Sequence, residues 1–490
     1  MNNPSLPKLV PSAIAIGIGL LIWFGIPVPD NVSPEAWHLL ALFIGTIAAI
    51  IGKAMPIGAL SIIAISLVAI TGVTRPGKPE GAIADALSGF ANPLIWLIAI
   101  AVMIAVALTK TGLGTRIGYY FISLFGKKTL GVAYGLVLSE LVIAPVTPSN
   151  TARGGAIIHP IMRSIAEAFG STPELGTSKK IARYLALVNY NTNPITSAMF
   201  ITATAPNPLI VDLIAKATDS AIKITWGQWA LAALLPGLVM LLVMPLVLYF
   251  LFPPEIKNTP NAKELAQSEL TKLGPVKTSE KITLGVLGLM LLMWASVPAF
   301  LFGPAYEINA TTTAWIGLSL LLVTGVLDWE DILKAKSAWD TLVWFAALVM
   351  MATFLGKLGL ISWFSHSIQT GISYWGLSWM AATAILVAIY FYAHYFFAST
   401  TAHITAMFAA FFTAGVALGA PPMLLALVLA FASSLMMSLT HYGTGTAPII
   451  FGSGYTTLNE WWGAGLVMSV VNLLILVVVG GVWWSVLGYI

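Results

Sequence analysis

The chain has 490 residues, of which 58% are hydrophobic and 9% are charged, with a formal net charge of +4 and no cysteine. Soluble domains carry about 25% charged residues. This chain therefore lacks the polar surface to remain in water, and it reads as an all-α polytopic membrane protein embedded in a lipid bilayer. Without cysteine it can form neither disulfides nor thiolate metal sites nor a cysteine nucleophile. No His-Glu-x-x-His spacing is present either. We expect no enzyme activity, no cofactor, no metal and no nucleic-acid partner.

A spanning helix needs about 20 apolar residues. The first apolar run, near Pro11 to Ile26, has one nearby lysine and no small-residue cleavage site, so it reads as a retained helix. Further spans are expected to start near Ala36, Ile57, Asn92, Ala182, Gln228, Ile282, Thr312, Ala338, Met423 and Gly463. That makes about 11 transmembrane helices. Two more apolar segments, 131–170 and 377–416, are each broken in the middle by polar residues. They read as re-entrant hairpins, since irregular backbone at membrane depth is tolerated only against protein or a wet cavity. Pro253 to Glu280 is the one long polar stretch. It divides the chain into a first half (1–252), a cytoplasmic linker (253–280) and a second half (281–490). Sixteen lysines and arginines fall on one side of this topology and five on the other, with Arg153 and Arg163 inside the first hairpin. The bias puts the N-terminus in the cytoplasm and the C-terminus outside. No organelle address is visible, and a bacterial plasma membrane is the default.

The hairpin breaks carry related motifs. Pro148-Ser149-Asn150-Thr151-Ala152-Arg153 in the first has a counterpart, 250 residues on, in Ala398-Ser399-Thr400-Thr401-Ala402-His403. Lys110-Thr111-Gly112-Leu113 returns as Lys357-Leu358-Gly359-Leu360 at offset 247. Thr204-Ala205-Pro206 returns as Thr446-Ala447-Pro448 at offset 242. Matches in one order at nearly one offset indicate a duplication. With five spans between the hairpins, the repeats are inverted, a recurrent transporter architecture.

The chemistry expected of these residues follows from their setting. Hydroxyls of Ser149, Thr151, Ser399, Thr400 and Thr401 and the amide of Asn150 are costly in lipid unless bonded. At a helix break they can cap freed backbone groups, or they can bind a carboxylate, aided by the positive end of the following helix. Thr204, Pro206 and Asn207, with Thr444, Gly445, Thr446 and Pro448, mark a second pair of helix breaks, where exposed backbone can meet a substrate. Arg153 at membrane depth must be paired or hydrated. It can pair with Glu140 in its own hairpin, or serve a substrate carboxylate through two parallel hydrogen bonds. His403 occupies the equivalent position and is neutral or cationic according to its surroundings.

These motifs resemble those of the divalent anion/sodium symporter family, over nearly the whole chain. The resemblance implies carriage of dicarboxylates, citrate or sulfate by an elevator movement, in a homodimer whose transport domain holds both hairpins. Sodium-coupled members repeat Ser-Asn-Thr in both hairpins, with a small polar residue two places later. Here the second copy reads Ser399-Thr400-Thr401, and the later positions are Arg153 and His403. The chain is thus similar to the exchanger branch, which includes bacterial citrate/succinate and plastid 2-oxoglutarate/malate translocators. The expected function is sodium-independent exchange of C4/C5 dicarboxylates (2-oxoglutarate, succinate, malate, fumarate). Sodium-coupled symport of a dicarboxylate or citrate is the alternative. Arg153 and His403 are expected to compensate charge in place of sodium. A carrier that cannot release a fixed positive charge would return empty only against the cost of an unpaired buried ion.

Overall fold

A computed structural model describes residues 7–373 and 378–489. Among these residues the regular structure is helical and no strand occurs. Lys128 and Asn258 form an isolated antiparallel bridge. Among the described residues, nine helices are long and apolar enough to cross a membrane, and three shorter apolar helices, Leu9–Gly25, Ile57–Thr71 and Ala310–Val323, accompany them. A helix begins within five residues of every expected start. The start of the second hairpin, expected at 377, lies outside the described residues.

Two compact units share the chain, and each draws on both halves of the sequence. The first comprises Met1–Ala99, Pro208–Lys223 and Lys336–Leu429. The second comprises Ile100–Asn207, Ile224–Ala335 and Ala430–Ile490. In the first unit the helix Pro34–Ile51 starts where sequence says it should. Pro34 supplies a preset φ at the first turn, and the Ser33 hydroxyl accepts from the Ala36 amide at 3.1 Å. The helix Ile57–Thr71 lies along Lys336–Lys357. Nearby, the Ser88–Ala91 turn comes so close to that long helix that a Cβ on Gly89 would run into the Ala346 carbonyl.

In the second unit the 26-residue helix Trp226–Leu251 is opened by a capping box of Thr225 and Gln228. It packs against the helix Ala182–Met199, fixed there by Trp229 donating to the Ala198 carbonyl at 2.8 Å and Tyr184 donating to the Pro245 carbonyl at 3.0 Å. The helix Leu458–Ile475 opens on a second capping box, Thr457 with Glu460, and Glu460 also meets Arg183 at 2.9 Å. The stretch expected as a plain linker contains its own helix, Pro260–Leu273. Arg116 straps it down. Its guanidinium donates to the Gly274 carbonyl at 3.0 Å and to Glu280 at 2.7 Å. Arg116 sits on the amphipathic helix Leu113–Phe125, an element that the search for 20-residue apolar runs passes over.

Candidate substrate site at the helix breaks

The first hairpin, in the second unit, runs as a helix over Thr129–Ile143 and a 3₁₀ turn over Ala144–Val146. A break of four residues follows, then a π-helix over Thr151–Ile158 and an α-helix over His159–Ala168. Pro145 and Pro148 bring no amide hydrogen, and Thr147 before Pro148 is extended (φ −124°, ψ 92°), as pre-proline geometry requires. Beyond the break Ser149 acts as a cap. Its Oγ accepts from the Ala152 amide at 3.1 Å, and its carbonyl accepts from the Arg153 amide at 3.0 Å. The cap uses the serine oxygen as acceptor, which leaves the hydroxyl proton to donate. Ser149, Asn150 and Thr151 are half-buried. The wide π turn brings its backbone onto the helix Ala182–Met199: a Cβ on Gly154 would lie 2.8 Å from Asn193 Nδ2.

That helix is the polar one. Asn189, Asn191, Thr192, Asn193, Thr196 and Ser197 are all buried in it. Thr196 and Ser197 among them meet Arg153, which is 0% exposed. Arg153 Nε donates to Glu140 Oε1 at 3.2 Å. Nη1 donates to the carbonyls of Thr147 and Ala203, both at 2.8 Å. Nη2 donates to Ser197 Oγ at 2.8 Å and Thr196 Oγ1 at 3.3 Å. Five N–H groups thus meet five acceptors. The guanidinium ties the turn before the tip to the 3₁₀ turn Ile201–Ala203 and to the polar helix. Of the two roles open to it in the sequence, the pairing with Glu140 is the one seen here.

Asn193 links this cluster to the tip. Its Nδ2 donates to Glu140 Oε1 at 2.7 Å and to the Asn150 carbonyl at 3.0 Å. Its Oδ1 accepts from Asn150 Nδ2 at 3.2 Å and from Thr446 Oγ1 at 3.3 Å. Asn150 Nδ2 also donates to Thr444 Oγ1 at 2.7 Å. Gly445 lies so near that a Cβ there would be 2.5 Å from Thr151 Oγ1. The structure therefore brings Asn150, Thr151, Thr444, Gly445 and Thr446 together. Pro448 belongs to the short helix Thr446–Phe451. Thr204 is buried, and Asn207 serves the break: its Nδ2 donates to the carbonyls of Ser197 at 2.7 Å and Phe200 at 2.9 Å. Pro206 opens the helix Pro206–Ala217.

The second hairpin, in the first unit, repeats the pattern with a helix Trp379–Tyr392, a 3₁₀ turn Ala393–Phe396, a break, and a helix Thr400–Ala417. Ser399 Oγ accepts from the Ala402 amide at 3.3 Å, and its carbonyl accepts from the His403 amide at 3.1 Å. Thr400 is buried, and Ser399 and Thr401 are half-buried. His403 is 0% exposed, and its Nδ1 faces Nδ1 of His394 at 3.2 Å across the break. Tyr390 stands edge-on to its ring at 4.7 Å, with Phe397 at 4.5 Å. Its Nε2 is buried and meets no partner among the described residues.

Sequence reasoning missed Asn193, Thr196 and Ser197, and it gave His394 no functional role. The signal available for the first three was a span rich in asparagine and threonine, which a helix in lipid hides only by packing against protein.

The family pattern described as the sodium:sulfate symporter transmembrane region matches residues 7–490. The chain belongs to that family of divalent anion:sodium symporters. It is similar to the Bacillus subtilis protein named "Putative malate transporter YflS", 51% identical over 99% of this chain and 98% of that one. Dicarboxylate transporter 1, chloroplastic, of Arabidopsis thaliana is 45% identical over 99% of this chain and 87% of its own length. The solved Alcanivorax borkumensis YdaH transporter has a TM-score of 0.57 at 12% identity, covering 92% of this chain and 99% of that one. That likeness concerns the fold. This family member is a multi-pass membrane transporter, not an enzyme.

Proposed function

We propose that this transporter exchanges C4/C5 dicarboxylates, such as 2-oxoglutarate, succinate, malate and fumarate, across the plasma membrane without sodium. One observation carries the reading. At the first tip, half-buried Ser149, Asn150 and Thr151 open a helix directly beside a buried guanidinium. A helix N-terminus with hydroxyl donors is suited to a carboxylate. The relatives named for malate and dicarboxylates point to the same substrate class. Ser399, Thr400 and Thr401 form a second helix start of the same kind, suited to a carboxylate in the same way. Thr204, Pro206, Asn207, Thr444, Gly445, Thr446 and Pro448 shape the breaks that accompany the first tip. By the resemblance, Arg153 and His403 stand where sodium-coupled relatives have small polar residues; neither can dissociate as sodium does, and Arg153 is paired with Glu140.

The elevator movement, the homodimer, the inverted repeat and the cytoplasmic N-terminus with external C-terminus belong to this proposal. Proteoliposomes loaded with one dicarboxylate and offered another should show counterflow of equal size with and without sodium. Net sodium-driven uptake into dicarboxylate-free vesicles would replace exchange by symport. The symport alternative has one specific support, the neutral oxygens of Asn193, Thr444 and Thr446 gathered at the first tip.

A further inference from the structure

Glu140 is wholly buried, and its two oxygens are treated unequally. Oε1 accepts three bonds, from Asn193 at 2.7 Å, Thr196 at 3.1 Å and Arg153 at 3.2 Å. Oε2 is buried and meets no donor among the described residues. Leaving a buried carboxylate oxygen without a donor is costly. Oε2 is therefore the position at which a proton can be taken up while Oε1 keeps its three bonds. Arg153 cannot take the place of that proton, because its N–H groups are already directed to Oε1, Thr147, Ala203, Thr196 and Ser197.

We propose that Glu140 is a proton-binding site coupled to occupancy of the first tip: Oε2 takes up one proton from solvent when a dianion binds. The coupling has a physical route. Asn193 joins Glu140 Oε1 to the Asn150 carbonyl and side chain, so a dianion at Ser149–Thr151 lies one residue from the carboxylate. The groups facing Glu140 are Arg153 from the π-helix and the uncharged Asn193 and Thr196 from the polar helix. Arg116 on the helix Leu113–Phe125, which also packs on the Glu140 helix, is held by Glu280. Protonation leaves Arg153 as a net positive charge opposite the bound dianion. Loss of the substrate and then of the proton returns the cluster to a neutral pair. The proton count thereby sets the charge that the loaded carrier moves. The inference rests on the dicarboxylate reading of this tip, though not on whether transport is exchange or symport.

The test is calorimetric titration of the detergent-purified full chain with succinate at about pH 8, where the free acid is fully ionised. It is repeated in buffers of different ionisation enthalpy. The expected result is uptake approaching about one proton per bound succinate, lost in Glu140→Gln, which keeps the Oε1 acceptor and places an amide at Oε2. Succinate binding by the wild-type without proton uptake overturns the proposal. So does undiminished uptake in Glu140→Gln, which would move the proton elsewhere, for instance to the His394–His403 pair. If the variant does not fold, the succinate-induced infrared difference spectrum of the wild-type decides instead. A protonated-carboxyl band supports the proposal, and its absence overturns it. Failure of succinate to bind at all would instead refute the substrate reading, which the counterflow experiment tests separately.

Discussion

The two hairpin tips share a serine cap and differ in electrostatics. Each has a serine that caps the helix beyond the break, with Oγ accepting from the third residue along at 3.1 Å in one and 3.3 Å in the other. Each places a nitrogen-rich side chain at the fourth residue after that serine, with no exposure to solvent. In the first tip this is Arg153, held by a carboxylate and four neutral acceptors. In the second it is His403, which meets another imidazole among aromatic rings. An arginine is charged wherever it sits, so the fold must supply its counter-charge. A histidine can enter the same position neutral, with one ring nitrogen a donor and the other an acceptor. The cap is the same in both tips, where backbone geometry leaves little choice, and the side chain beyond it differs.

The largest effect is expected from unbalancing the first tip. Arg153→Leu leaves Glu140 buried alone and should destabilise by about 3–5 kcal/mol, read as thermal unfolding in detergent, with loss of exchange. Adding Glu140→Leu should recover part of that stability but not transport. If Arg153→Leu exchanged at wild-type rate, the guanidinium would have no part in the site. Next comes Gly154→Ala, whose methyl would stand 2.8 Å from Asn193 Nδ2. Overpacking of this kind costs about 1–3 kcal/mol, and because Asn193 holds Asn150, substrate affinity should fall with stability. In the second tip, His394→Phe removes the partner of His403 Nδ1 without removing its aromatic surroundings. We expect a loss of about 1–2 kcal/mol, seen as weaker binding in titration and nearly unchanged behaviour of the first tip. The smallest effects should be the most alike: Ser149→Ala and Ser399→Ala each remove a cap worth about 1 kcal/mol. Unequal stability losses in those two variants would break the parallel between the tips.

Much of the fold was legible because the bilayer imposes it. Apolar runs long enough to span mark the helix starts, and Pro145, Pro148 and Pro206 mark the ends of helices through their missing donors. The caps at Ser149 and Ser399 were legible as one of two readings. The Glu140 pairing of Arg153 was likewise legible as one of two readings, but its other acceptors were not. These come from Thr147, Thr196, Ser197 and Ala203, up to 50 residues away, and a helix face cannot be matched to a distant guanidinium by periodicity. The His394–His403 pair escaped for a related reason: its members lie nine residues apart, and only a chain reversal between them brings the rings together. Hydropathy placed a span at Ala182 but not the role of its polar residues, since counting apolar residues does not say which asparagines and threonines are buried against protein groups.

The π-helix at Thr151–Ile158 has a consequence for how this arm tolerates change in length. Its bonds close five residues back instead of four, so each turn holds more chain than an α-turn. Winding the same stretch as an α-helix would need one residue fewer, and each residue of an α-helix turns the axis by about 100°. The arm thus holds a spare residue in the interval between Arg153, aimed at Glu140, and His159, whose Nε2 meets Ser453 at 2.6 Å. Removing one glycine of the Gly154-Gly155 pair need not shorten the arm. It would rotate one of those two anchors away from its partner, and the hairpin would keep its length while its two ends no longer agreed on which way to face.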